Sequence, residues 1–184
     1  MHINVKRLSS IQDKVKEIVS RKQLKTNPQV IAVTKTFKEH DIMPLVDFNH
    51  THFGENKVQE AENKWKNIKL KYPNIKLHML GPLQTNKVKN ALQLFDYIHS
   101  LDNEKVAKKI SNYEKDSTDK IKIFIQVNIA DEKQKSGIAV KDLSNFYHYC
   151  KENLSLNIIG LMCLPPFGLD SNEFFNFLKK EARK

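Results

Sequence analysis

Arginine is nearly missing from this sequence: of 31 basic residues only Arg7, Arg21 and Arg183 are arginines, and the rest are lysines. The guanidinium fork that grips phosphate and guanine bidentately is therefore scarce. The lysines are scattered rather than gathered in one block, so the net charge of +10 is expected to form solvated faces and no specific nucleic-acid footprint. Cysteine is scarce too. Cys150 and Cys163 fall on different expected elements, which argues against a disulfide framework and for a reduced, cytoplasmic protein. No stretch approaches the unbroken apolar length of a membrane span, and Met1 to Leu8 lacks an h-region and a small-residue cleavage site. Neither a Gly-x-Ser-x-Gly elbow nor a Gly-rich loop of Walker or Rossmann type occurs, and neither cysteine sits in a catalytic-thiol signature.

What is present is a regular alternation of apolar patterns. Leu8, Ile11, Val15, Ile18 and Val19 form one stripe of a helix from Val5 to about Arg21, broken by Asn27-Pro28. The continuous run Val30 to Val33 then reads as a strand covered on both faces, ending in Thr34-Lys35. A short helix over His40 to Val46 precedes a strand near His50 to Phe53. A helix carrying Val58, Ala61, Trp65 and Ile68 precedes a strand at Leu77 to Leu80. Val88, Ala91, Leu92 and Phe95 mark the next helix, and Tyr97 to His99 the next strand. A helix near Asn103 to Tyr113 leads to a strand at Ile121 to Val127. Leu143, Phe146, Tyr147 and Cys150 share a further helix, Leu156 to Met162 is the last strand, and a final amphipathic helix carries Phe174, Phe177 and Leu178.

Strands and helices alternating in this way imply crossover connections and a parallel sheet. No linker or low-complexity tract interrupts residues 1–184, so a single α/β domain is expected. Periodicity alone does not choose between a doubly wound open sheet and a barrel. The strand count reaches six, whereas a closed barrel of this type needs eight.

Lys35 stands at the carboxyl end of the first strand, the side on which parallel α/β proteins bind ligands. After four apolar residues it is expected to be partly desolvated, which would free its amine for attack on a carbonyl. Gly54 allows a sharp turn after the second strand, and Glu55 and Asn56 would open the next helix at the mouth of the site. Gly81 to Lys87 and Ser136-Gly137-Ile138 read as turns that lead into helices. His50 and His52, two residues apart on a strand, face one side, and His78 and His99 could join them around a metal ion.

Several of these segments together resemble one family. Val30-Ile31-Ala32-Val33-Thr34-Lys35, His52-Phe53-Gly54-Glu55-Asn56-Lys57-Val58-Gln59-Glu60 and Leu80-Gly81-Pro82-Leu83-Gln84-Thr85-Asn86-Lys87 are similar to signatures of the pyridoxal 5′-phosphate (PLP) homeostasis protein family. So are Ile125-Gln126-Val127-Asn128-Ile129, Lys135-Ser136-Gly137-Ile138 and Gly160-Leu161-Met162 with Pro165, in the family's order. The resemblance implies a (β/α)8 TIM barrel of the alanine-racemase N-terminal-domain type with an extra amino-terminal helix. It implies PLP held as a Schiff base on Lys35, with Asn56 near the cofactor and Val33, Leu80 and Met162 lining the ring pocket. It further implies a monomeric carrier with no established catalytic reaction, and hence no catalytic residues.

The family continues with a Met-Gly-Met-Ser-like and a Val-Arg-Ile-Gly-like segment, which hold most of the phosphate cradle. Neither occurs here, and Arg183, after Glu181-Ala182, does not map onto that arginine. The expectation is therefore a barrel cut after its sixth strand and following helix, a weakened PLP site and open edges that favour self-association. The competing readings are a metal-dependent barrel hydrolase using His50 and His52, and a basic interaction module that touches RNA by charge alone.

Overall fold

The computed structural model describes residues 1–132 and 134–183. Helix α1 (Ile3–Arg21) comes first, and six strand–helix units follow it. They are β1 (Ala32–Val33) with α2 (Glu39–Asp47), β2 (His52–Glu55) with α3 (Val58–Lys71), and β3 (Lys76–Met79) with α4 (Val88–Leu94). The chain goes on with β4 (Tyr97–Leu101) and α5 (Glu104–Glu114), then β5 (Lys122–Asn128), the two-residue β6 (Ile138–Ala139) and α6 (Leu143–His148). A π-helical turn over Tyr149–Asn153 extends α6, and β7 (Ile158–Met162) and α7 (Ser171–Glu181) close the series.

All strand pairs are parallel, in the order β1-β2-β3-β4-β5, with β7 paired to Ile123–Gln126 and β6 to Val127 and Asn128. Among the described residues β1 pairs only with β2, and β7 only with β5. The sheet is thus an arc of barrel, curved around an inner face that carries His52, Gly54, His78 and Phe124. The opposite face is dry. Phe53, Leu77, Ile98, Ile123 and Ile125 are fully buried against Trp65, Ala61, Ala91, Ala107 and Ile110 of the covering helices. The alternation follows from the two-residue period of a strand.

Local chemistry sets the ends of several elements. Asn103 caps α5 through its side-chain oxygen on the Val106 N–H at 3.0 Å, and Asp170 does the same for α7 on Asn172 at 2.9 Å. Glu114 at the end of α5 accepts the Ile121 N–H at 2.7 Å and so ties the helix to the start of β5.

Four expectations need correction. The strand expected at Val30 is paired only at Ala32 and Val33, because β1 has a neighbour on one side only. His50 lies before β2 rather than in it. The segment Ser136-Gly137-Ile138 leads into β6, whose two residues are too few to show a period. The stripe on α1 is only partly used: Val5 and Leu8 are buried and Val15 and Val19 half-buried, but Ile11 and Ile18 are 50% and 41% exposed. In α7, Leu178 is buried, while Phe177 stays 40% exposed.

Candidate functional site

The carboxyl ends of β1, β2 and β3 form one rim. Backbone bonds from Thr34 N–H to the Gly54 carbonyl at 2.9 Å, and from Leu80 N–H to the Glu55 carbonyl at 2.8 Å, carry the ladder one residue past each strand. Parallel register therefore sets Lys35, Asn56 and Leu80 beside one another at the mouth, as the sequence led one to expect. Met162 reaches the same rim at the end of β7, opposite Gln126.

Lys35 itself is exposed, not desolvated, and its side chain has no hydrogen bond or ion pair among the described residues. The reason is positional: it belongs to a turn that projects from the edge strand. The Phe37 N–H donates to the Thr34 carbonyl at 3.1 Å to close that turn, and Thr36 within it has φ of 67°. A β-branched residue in the left-handed region costs about 1–3 kcal/mol and persists only where its surroundings hold it.

The surroundings are unusually polar for the outside of a barrel strand. Glu55, fully buried, accepts from Thr34 Oγ1 at 2.6 Å, Lys64 Nζ at 2.9 Å and the Trp65 indole N–H at 2.9 Å, all on Oε1. Lys64 also donates to the Thr34 carbonyl at 2.7 Å and to Glu60 Oε1 at 3.1 Å. Glu60 accepts the Thr36 N–H at 2.5 Å. Burial pushes the Glu60 carboxyl up, but the Thr36 N–H and the Lys64 ammonium outweigh it and hold the group below the usual carboxylate range. Glu55 was expected to open a helix. It is instead the last residue of β2 and points, like Phe53, under α3. The sequence signal for this group was the i, i+2 pair Phe53 and Glu55 together with the i, i+4 pair Glu60 and Lys64.

On the inner face the chain provides apolar walls. A Cβ at Gly54 would lie 2.5 Å from Leu80 Cδ1 and 3.1 Å from Ile31 Cγ2, so the glycine lets these two side chains close over the sheet. Val33, paired with Gly54, is 45% exposed there. Asn56 is half-buried, and its backbone packs directly on Gly81, where any side chain would strike the Asn56 carbonyl. A primary amine at the rim beside these walls fits an aromatic aldehyde of PLP's shape.

The histidines gather deeper in the arc, where the sequence suggested a metal-binding group, but they form a hydrogen-bonded ladder instead. His52 Nδ1 lies 2.9 Å from His78 Nε2, and His78 Nδ1 lies 2.9 Å from His99 Nε2. Tyr97 stacks on His78 at 4.3 Å, and Phe124 on His99 at 4.4 Å. His50 turns away, with its Nε2 2.8 Å from the His52 carbonyl oxygen and its ring edge-on to Phe53. His50 and His52 do not converge, and among the described residues no three His, Cys, Asp or Glu side chains are placed to hold a metal ion. Burial first, then the neighbouring imidazoles, lowers His78 to about 3, and burial lowers His99 to about 4. This is a ladder of neutral rings. Cys150 and Cys163 are free and buried, and burial raises the Cys150 thiol to about 12.

Residues 7–181 match the family described as alanine racemase, N-terminal domain. The chain is 31% identical over 159 residues to the pyridoxal phosphate homeostasis protein of Pasteurella multocida, covering 86% of this chain and 68% of that one. It is 30% identical over 162 residues to the protein of the same name from Escherichia coli K12, with the same shares covered. The solved structure of PipY from Synechococcus elongatus with PLP bound superposes with a TM-score of 0.75 at 27% identity, over 92% of this chain and 80% of that one. Alanine racemase from E. faecalis shares the fold alone, with a TM-score of 0.63 at 12% identity over 94% of this chain and 49% of that one. The ordered rim, the barrel arc and these likenesses agree: the chain belongs to the alanine racemase N-terminal domain family, among the pyridoxal phosphate homeostasis proteins.

Proposed function

We propose that this chain binds pyridoxal 5′-phosphate at the rim of its barrel arc and takes part in PLP homeostasis in the cytoplasm. Residues 1–184 act as one PLP-binding domain, and the cofactor is held as a Schiff base on Lys35. The observation that carries this reading is the placement of Lys35: an exposed amine with no partner among the described residues, on a turn held rigidly at the carboxyl end of β1. The names of its relatives and the PLP in the PipY structure support it.

When bound, PLP supplies an aldehyde that a primary amine can capture. The chain's own residues divide the remaining work. Val33, Leu80 and Met162 supply apolar surface for the ring, and Asn56 a polar side chain beside it. No catalytic reaction is proposed, and PLP is the only partner proposed.

The test is to mix the purified chain with PLP, record the visible spectrum, reduce with borohydride and map the labelled peptide. An imine band trapped on Lys35 and lost in Lys35→Ala supports the reading. Labelling spread evenly over the lysines would overturn it.

A further inference from the structure

Two backbone groups flank the Cα of Lys35, and both are captured by the same pair of side chains on α3. The Thr34 carbonyl belongs to the peptide plane before Lys35 and accepts from Lys64 Nζ at 2.7 Å. The Thr36 N–H belongs to the peptide plane after Lys35 and donates to Glu60 Oε1 at 2.5 Å. The angle between those two planes is set by φ and ψ of Lys35, the only soft torsions between them. Fixing both planes to one helix therefore fixes the direction in which the Lys35 side chain leaves the backbone.

We propose that Glu60 and Lys64 are positioning residues that aim Lys35 by holding the peptide planes on either side of it. The pair is itself rigid. Glu60 and Lys64 are one helical turn apart and joined at 3.1 Å. The Lys64 side chain is only 8% exposed and is anchored on the fully buried Glu55, which also takes the Thr34 hydroxyl at 2.6 Å. Without this hold the left-handed Thr36, with φ of 67°, would relax toward an ordinary turn and carry Lys35 with it. Neither Glu60 nor Lys64 touches the cofactor in this scheme; each acts through the backbone of Lys35. The ligand consequence rests on the proposed attachment of PLP to Lys35, while the backbone consequence does not.

Glu60 is the residue to change, because its side chain is 29% exposed and the fold does not depend on burying it. Three chains are compared: unsubstituted, Glu60→Ala and Glu60→Gln, the last keeping an oxygen for the Thr36 N–H. Two quantities are read: borohydride-trapped PLP on Lys35 relative to all other lysines, and amide hydrogen exchange at Thr36 without cofactor. Loss of a charge-assisted bond should speed Thr36 exchange about tenfold in Glu60→Ala and lower selective labelling of Lys35 by a similar factor, with recovery in Glu60→Gln. A merely structural role would lower the thermal midpoint and leave the selectivity for Lys35 untouched, and that result overturns the proposal. If the unsubstituted chain shows no preference for Lys35, the PLP reading fails. The exchange rates then decide alone: faster exchange at Thr36 in Glu60→Ala upholds the positioning role, and unchanged exchange overturns it.

Discussion

His78 Nδ1 lies 2.9 Å from His99 Nε2 inside the barrel arc, with the two rings only 4% and 9% exposed. Each neutral imidazole has one donor and one acceptor, so three neutral rings satisfy one another along the ladder. Protonating His78 or His99 would bury a charge among these rings, and protonating both would set two donors against each other.

Stability is therefore expected to fall with acid. The ordinary histidine value is 6.5, and folding lowers His78 to about 3 and His99 to about 4. Between those values the unfolded chain binds more protons than the folded one, so stability rises with pH in that window and is lost as pH drops below 6.5. Each ring contributes a slope of about 1.4 kcal/mol per pH unit in the middle of its window. Urea unfolding at pH 7.5, 6 and 5 measures this, and His78→Phe should flatten the slope. A chain equally stable at all three values would exclude a neutral ladder.

Replacing Lys35 with alanine should leave stability within about 0.5 kcal/mol, since the side chain is exposed and makes no ion pair among the described residues. The same substitution should abolish the PLP imine band. Thermal melts of the cofactor-free chain, set beside spectra with PLP, separate the two effects. A large loss of stability would mean that the amine has a structural partner.

Trp65→Phe removes one of the three donors to the buried Glu55 Oε1 while keeping most of the ring's volume. The expected loss is about 1–3 kcal/mol, the usual range for depriving a buried polar group of a partner. Trp65→Ala, which also leaves a cavity against Phe53, should cost more, about 3–5 kcal/mol. Denaturant midpoints check both values. No loss in Trp65→Phe would show that the indole N–H contributes nothing.

Gly54→Ala places a methyl group 2.5 Å from Leu80 Cδ1. Leu80 can swing away at its flexible end, so the stability cost should be small, about 1 kcal/mol. It would swing across the inner face beside Val33, however, and PLP binding should weaken severalfold. Titration of the visible band against PLP concentration measures this, with unfolding midpoints as the control.

Much of the architecture was legible because its signals are local. Asn27-Pro28 and Tyr72-Pro73 break the chain where helices must stop, and the positions Val58, Ala61, Trp65 and Ile68 are all buried on α3 at helical spacing. The six longer-range strand assignments match strands in the structure, although β1 is shorter than expected and β2 starts two residues late. Lys35 was found in the same way, at a strand end, whereas Leu80 entered through the family resemblance and the parallel register sets it beside Lys35 and Asn56. What failed were judgements of surroundings. The four apolar residues before Lys35 suggested a desolvated amine, yet burial of a strand says little about a turn that leaves it.

The sequence alone determined the alternation of strands and helices, the parallel sheet, and the family signatures from Val30 to Pro165, because periodicity and turn chemistry act between near neighbours. Only the tertiary structure decided what the polar residues do. Glu55, Glu60, Lys64 and Thr36 come from three segments, and His52, His78 and His99 from three strands, brought within hydrogen-bond reach by the register of the sheet. Hydrogen bonding acts over about 3 Å, and no pattern along a chain records which distant residues the folded backbone will bring that close.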